Sequence, residues 1–151
     1  MYRNHNLGEL NKSNIGQKVE LAGWVQKIRN LGAMKFLDLR DEFGITQIVC
    51  KDENLVKQAD ELVTETVIHV EGTVVERESK NPNLATGEIE VVAKKIEVLG
   101  KCKNVLPFEV NNENAQNVRE DLRLEYRYLD LRNEGIHKNI LLRSKILKSI
   151  R

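Results

Sequence analysis

Between residues 17 and 29 the chain reads Gln-Lys-Val-Glu-Leu-Ala-Gly-Trp-Val-Gln-Lys-Ile-Arg, with Val19, Leu21 and Val25 sharing one parity. That alternation predicts a half-buried strand. The phase then changes: Ile28 falls on the other parity and Gly23 sits inside the run. Together they predict a bulge or sharp bend of the kind found where a sheet curls. Leu31-Gly32-Ala33 turns into a second strand over residues 34–41, in which Leu37 and Leu39 point one way and Phe36, Asp38 and Arg40 the other. Glu42-Phe43-Gly44 turns again into a third strand over 45–51, completing a meander.

Asp52 or Glu53 then opens a short helix with Leu55, Ala59 and Leu62 at helical spacing, placed to plug one end of a barrel. A fourth strand, rich in β-branched residues and bent at Gly72, is predicted over 66–77. After a polar loop at 78–87, a fifth follows over 88–99. Strand-strand-strand-helix-strand-strand in this order predicts an all-β OB-fold, a five-stranded Greek-key barrel with a helix between strands three and four. An SH3-like barrel is the competing fold, and that helix favours the OB-fold.

Residues 100–118 lack apolar periodicity, carry Pro107 and an Asn/Gln run, and predict a linker. C-terminal helices follow. Leu122, Tyr126 and Leu129 mark one, with Leu124, Tyr128 and Leu131 on an adjacent stripe. Asn133-Glu134-Gly135 interrupts, and Ile136, Ile140, Leu147 and Ile150 mark another. No stop signal precedes Arg151, which predicts that this amphipathic helix continues into a further domain or packs on a partner.

At 151 residues the chain has room for one domain and an appendage. Forty per cent apolar and 31% charged residues exclude a disordered chain. A net charge of +1 announces neither nucleic acid nor membrane, but it is unevenly spread. Residues 119–151 hold nine basic and five acidic side chains, net +4, against fifteen and eighteen, net −3, in residues 1–118. Nowhere does an apolar run reach membrane-spanning length, so the chain is expected to be cytoplasmic, without a membrane partner. Cys50 and Cys102 stand apart and predict reduced thiols rather than a zinc or redox site.

No catalytic set emerges: His5, His69 and His137 are scattered, and no glycine-rich phosphate loop follows a strand. Asp38, Asp41 and Glu42 could hold a metal, although an ordinary turn with solvated carboxylates is the plainer reading, and no metal site is expected. Phe36 is the informative anomaly. Parity puts this aromatic on the polar face that an OB-fold uses, with Lys27, Arg29 and Lys35 near by in sequence, which is the pattern of a platform for stacking a base. A register slip would put Phe36 in the core instead. Gln47 could reach a base edge, or simply be solvated. Glu90, between Ile89 and Val91, points outward and could accept from a cytosine amino group, though an outward Glu on a strand is commonplace.

Gly23-Trp24-Val25, the run Phe36-Leu37-Asp38-Leu39-Arg40-Asp41, the run Ala85-Thr86-Gly87-Glu88-Ile89-Glu90-Val91 and the run Leu124-Glu125-Tyr126-Arg127-Tyr128-Leu129-Asp130-Leu131-Arg132 together resemble the N-terminal part of bacterial-type aspartyl-tRNA synthetases, class II, subclass IIb. The first two elements are shared with asparaginyl and lysyl relatives; the last two favour aspartyl. The resemblance implies an anticodon-binding OB-fold over residues 1–103, a hinge over 104–133 with a short helix, and over 134–151 the first helix of a class II catalytic domain. It further implies that Phe36 stacks on the middle uridine of the tRNA(Asp) anticodon loop, Gln47 reads that base's edge, and Glu90 reads the last cytosine. Asn81 and Arg77 would lie near the first base, and Arg29 and Lys27 near the backbone. Two departures stand out: Lys27 and Ile28 replace part of a commonly arginine-rich run, and the loop over 79–84 is shorter than in many relatives.

The resemblance implies that such a chain binds without a cofactor and is not expected to aminoacylate by itself. The parent enzyme, expected to be a homodimer, would join aspartate to tRNA(Asp) through an adenylate, using ATP and Mg2+. Two other classes of function remain open: a sequence-tolerant single-strand-binding module, and a structural or dimerisation module whose basic helices are the working surface.

Overall fold

A computed structural model describes residues 2–103, 105–110 and 117–151. They fall into two compact units, Met1–Lys103 and Asn104–Arg151.

The first unit is built on strands β1 (Lys18–Leu31), β2 (Met34–Arg40), β3 (Ile45–Cys50), β4 (Val67–Glu76) and β5 (Ile89–Gly100), with helix α1 (Glu53–Asp60) between β3 and β4. The strands form a closed barrel in the order β1-β2-β3-β5-β4, antiparallel except where β3 meets β5. Its five strands and the placement of α1 are those of the predicted OB-fold, and the helix that separates this fold from an SH3-like barrel is present.

The predicted phase change is a bulge at Gln26. Val25 pairs with Leu39 but Lys27 pairs with Asp38, so every residue beyond Gln26 swaps faces. Ile28 thereby turns to the core while Arg29 turns outward opposite Phe36. β1 is closely approached at Gly23: a Cβ there would stand 2.4 Å from the Arg40 carbonyl oxygen and 2.7 Å from Leu7 Cδ1. The bend predicted at Gly72 falls at a register shift between β4 and β5.

Inward-facing Val19, Leu21, Val25, Leu37, Leu39, Ile48, Ile68, Val70, Val74, Ile89 and Val91 form the core. α1 closes one part of it with Leu55 and Ala59. Asp52 caps this helix by accepting from the Asn54 N–H at 2.9 Å, and Glu53 occupies its first turn, where the helix dipole favours an anion. Leu7 and Leu10 are fully buried in the same core, although the N-terminal segment shows no periodic apolar pattern. Two contacts tie it down: Leu7 N–H donates to Asp41 Oδ2 at 3.0 Å, and Thr46 Oγ1 donates to the Leu7 carbonyl at 2.5 Å. Asp41 also accepts from the N–H groups of Phe43 and Gly44 at 2.8 and 3.0 Å. The solvated carboxylate expected at Asp41 is thus a buried turn anchor instead, because four donors converge on it.

In the second unit, α2 (Glu120–Glu125), α3 (Arg127–Asp130) and α4 (Glu134–Ile150) replace the two helices read from the sequence. The single helix expected around Leu122 and Leu129 breaks at Tyr126, whose φ and ψ of −105° and 46° are not helical. Asp130, nearly fully buried, accepts from Arg123 Nε at 2.8 Å and from Arg127. Asn133 caps α4, its Oδ1 accepting from Gly135 N–H at 3.1 Å and Ile136 N–H at 3.3 Å. None of α4 is buried, and Ile140, Leu141, Leu142, Ile146, Leu147 and Ile150 are exposed. Of the predicted linker, residues 104 and 111–116 lie outside the described residues. Among the described residues no helix is long and apolar enough to cross a membrane.

Candidate nucleic-acid interface

β2 shows the alternation that sets up the site: Lys35, Leu37 and Leu39 are buried, while Phe36, Asp38 and Arg40 face outward and are half-buried. Phe36 is therefore not a core residue. Its cross-strand neighbours are Arg29 on β1 and Val49 on β3. Val49 is fully buried yet absent from the core cluster, so it forms an apolar floor beside the Phe36 ring on the outer face.

The next row across the sheet is Lys27, Asp38 and Gln47, with Glu90 of β5 beyond. These side chains are interlocked. Arg29 Nη2 donates to Asp38 Oδ1 at 2.6 Å and to Gln47 Oε1 at 3.0 Å, and Gln47 Nε2 donates to Glu90 Oε2 at 2.8 Å. Gln47 and Glu90 are outward by parity but only 4% and 8% exposed, so neither is the solvated side chain that the sequence allowed. Burying a carboxylate and an amide this deeply is tolerated because each has a partner. Arg29 Nε is also buried and has no partner among the described residues.

The remaining residues read from the sequence divide. Lys27 is exposed beside Asp38 on the same face, with no ion pair among the described residues. Arg77 follows β4 on the parity of Val75, which pairs with Glu90, and its N–H donates to the Glu88 carbonyl at 3.0 Å. Asn81 serves the β4–β5 loop: its Oδ1 accepts from Asn83 N–H at 3.0 Å, and its own N–H donates to the Gly87 carbonyl at 2.9 Å. No contact joins Asn81 to the Arg29–Gln47–Glu90 chain among the described residues. Lys35 does not belong to this face. Sharing the parity of Leu37, it is buried and runs to Asp60 at the end of α1. Arg40 is spent on Glu65 in a two-toothed pair at 2.7 and 2.9 Å.

Asp38 was absent from the predicted binding residues, although it shares its parity with Phe36 and so was visible as a neighbour. Of the carboxylates that the sequence groups together, Asp38 is paired with Arg29 and Asp41 anchors a turn. Among the described residues no group of three His, Cys, Asp or Glu side chains is arranged to hold a metal ion. Burial pushes the Cys50 thiol up to about 11, which makes it inert rather than reactive.

A tRNA anticodon family model, described as an OB-fold nucleic acid binding domain, matches residues 19–99. The chain is similar over its whole length to the aspartate–tRNA(Asp/Asn) ligase of Thermotoga neapolitana, at 49% identity, and to the aspartate–tRNA ligase of Mycoplasma capricolum, at 50%. It spans about a quarter, 26%, of the length of each. A crystal structure of asparaginyl-tRNA synthetase from Pyrococcus horikoshii, complexed with asparaginyl-adenylate, superposes with a TM-score of 0.73 at 33% identity, over 88% of this chain and 30% of that one.

Proposed function

Since the chain belongs to the tRNA anticodon family of OB-fold nucleic-acid-binding domains, we propose that its β1–β2–β3 face, with Glu90 of β5, reads the splayed anticodon loop of tRNA(Asp). The observation that carries this reading is one half-buried aromatic, Phe36, set beside a hydrogen-bonded row of Arg29, Gln47 and Glu90 on one outer face. Sequence-specific RNA recognition uses unstacked loop bases, one face stacked on an aromatic ring and the edges hydrogen-bonded. Phe36 stacks on the middle uridine, and the remaining hydrogen of Gln47 Nε2 donates to that base's carbonyl edge. Glu90 Oε1 accepts from the amino group of the last cytosine. Arg29 and Lys27 face the anticodon backbone, while Arg77 and Asn81 lie on the side of the first base.

The parent enzyme, on this reading, is a cytoplasmic, homodimeric ligase that activates aspartate with ATP and Mg2+ and transfers it to tRNA. The part described here supplies recognition: residues 1–103 bind the anticodon, 104–133 form the hinge, and 134–151 begin the catalytic domain. A barrel of near-neutral charge suits the task, because affinity for a large RNA is shared among domains while discrimination is local.

The test is binding of fluorescently labelled anticodon stem-loops. Aspartate and asparagine codons differ in their first base, so the loops to compare end in cytosine or uracil. The chain should prefer cytosine, and Phe36→Ala should weaken binding by ~1–3 kcal/mol with unchanged circular dichroism. Equal affinity for every loop sequence would instead identify a sequence-tolerant single-strand binder.

A further inference from the structure

Both ends of the Gln47 carboxamide are engaged, and by groups of opposite hydrogen-bonding sense. Oε1 accepts from Arg29 Nη2 and Nε2 donates to Glu90 Oε2. Flipping the amide would set an NH2 group against a guanidinium and a carbonyl against a carboxylate, losing both bonds and creating two repulsive contacts. The orientation therefore depends on where the guanidinium stands. That is decided by Asp38, whose Oδ1 lies 2.6 Å from the same Nη2 atom in a charge-assisted bond, the shortest of the three. With Gln47 and Glu90 almost fully buried, water is poorly placed to stand in for any of these partners.

We propose that Asp38 is a positioning residue for base readout: by anchoring Arg29 it fixes the orientation of the Gln47 amide, and through that amide it occupies one oxygen of Glu90 and leaves the other open. The middle and last anticodon bases are then read by one coupled unit, not by two independent side chains. Asp38 touches no base in this arrangement. Its influence travels 52 residues along the chain but only three hydrogen bonds through space. This inference rests on the anticodon reading above and adds to it the device that sets its specificity.

The experiment uses the full chain and stem-loops ending in cytosine or uracil. Asp38→Asn keeps the shape and removes the charge. Its preference for cytosine over uracil should fall by about five- to tenfold, with a smaller change in affinity for the better loop. In a Gln47→Ala background, where the relay is already cut, the same substitution should change the preference by less than about twofold. Without RNA, the Gln47 side-chain amide resonances should move in Asp38→Asn, a signal that a merely stabilising role would leave in place. Should Asp38→Asn fail to fold, Asp38→Glu carries the same test, because it displaces the carboxylate by one methylene.

Equal loss for both loops, an undiminished effect in the Gln47→Ala background, or unmoved amide resonances would each overturn the relay. If the unsubstituted chain itself fails to distinguish the loops, the anticodon reading falls and takes the relay with it. If it distinguishes them and Asp38→Asn does so equally well, the relay alone falls.

Discussion

On the face formed by β1, β2, β3 and β5, Arg29, Asp38, Gln47 and Glu90 are locked side chain to side chain, the last two almost out of contact with water. On the face formed by β1, β4 and β5, Glu20, Glu71, Lys95 and Glu97 stand with side chains 42–60% exposed around His69. Both faces belong to one barrel and both are polar. On the second the carboxylates and the lysine are solvated, while His69 is buried and its ring nitrogens have no hydrogen bond among the described residues. Lys95 and Glu71 pair at 2.9 Å, while Glu20 and Glu97 stay 3.8 and 3.9 Å from the His69 ring nitrogens. Exposed pairs of this kind contribute little to stability. A buried polar row is costly unless its members are partnered, and the hydrogen-bonded row of Arg29, Asp38, Gln47 and Glu90 sets the first face apart from the second, whose carboxylates and lysine are exposed.

The most disruptive way to break the contrast is to crowd β1 at Gly23, where the strand passes against Arg40 and Leu7. Gly23→Ala forces a methyl group against the Arg40 carbonyl and Leu7. It should destabilise the barrel by ~1–3 kcal/mol or more in urea titration and impair both faces together. Unchanged stability would show that the strand can relax around a side chain there.

A sharper test compares one carboxylate from each face. Glu90→Ala leaves the buried Gln47 donor without its partner and should cost ~1–3 kcal/mol of stability even without RNA. Glu20→Ala on the solvated face should stay within ~0.5 kcal/mol. Similar losses for the two would mean that burial does not distinguish the faces.

The smallest effect concerns the solvated pair itself. The hydrogen bond from Lys95 holds Glu71 below its ordinary 4.5, and the same bond holds Lys95 above 10.5. A depressed carboxylate contributes above its unfolded value, so the slight advantage over Glu71→Gln should be present at neutral pH. It should fade as pH falls below 4.5 through the lower folded value. On the alkaline side it should be present below 10.5 and fade as pH rises through the raised value of Lys95. Because both groups are exposed, about 1 M salt should erase the difference, as melting curves at two salt concentrations would show.

Local patterns account for the elements that were legible beforehand. Alternation marked the five strands, Asp52 marked the start of α1, and the lost phase at Ile28 marked the Gln26 bulge, because periodicity and capping are properties of a few adjacent residues. The parity of Phe36 likewise put it outside the core. Leu7 and Leu10 were missed because two isolated leucines in a polar segment have no period. Leu7 is held by contact with Gly23, Asp41 and Thr46, far along the chain. Lys35 was placed by sequence proximity beside Arg29, whereas its own parity sends it inward to Asp60. The break at Tyr126 interrupts a stripe that is helical by spacing.

For this protein the sequence by itself determined which residues form each strand and which face each side chain takes, since a strand repeats every two residues whatever lies across from it. It did not determine what each outward polar group would meet. Gln47 and Glu90 are 43 residues apart, and Arg29 and Gln47 are 18 apart. Only closure of the barrel, with β5 laid beside β3, brings them into hydrogen-bonding distance and shields them from water. Asp38 could be read from the sequence as one more surface carboxylate. The tertiary structure made it the anchor of a row, because a hydrogen bond depends on position in space rather than on order along the chain.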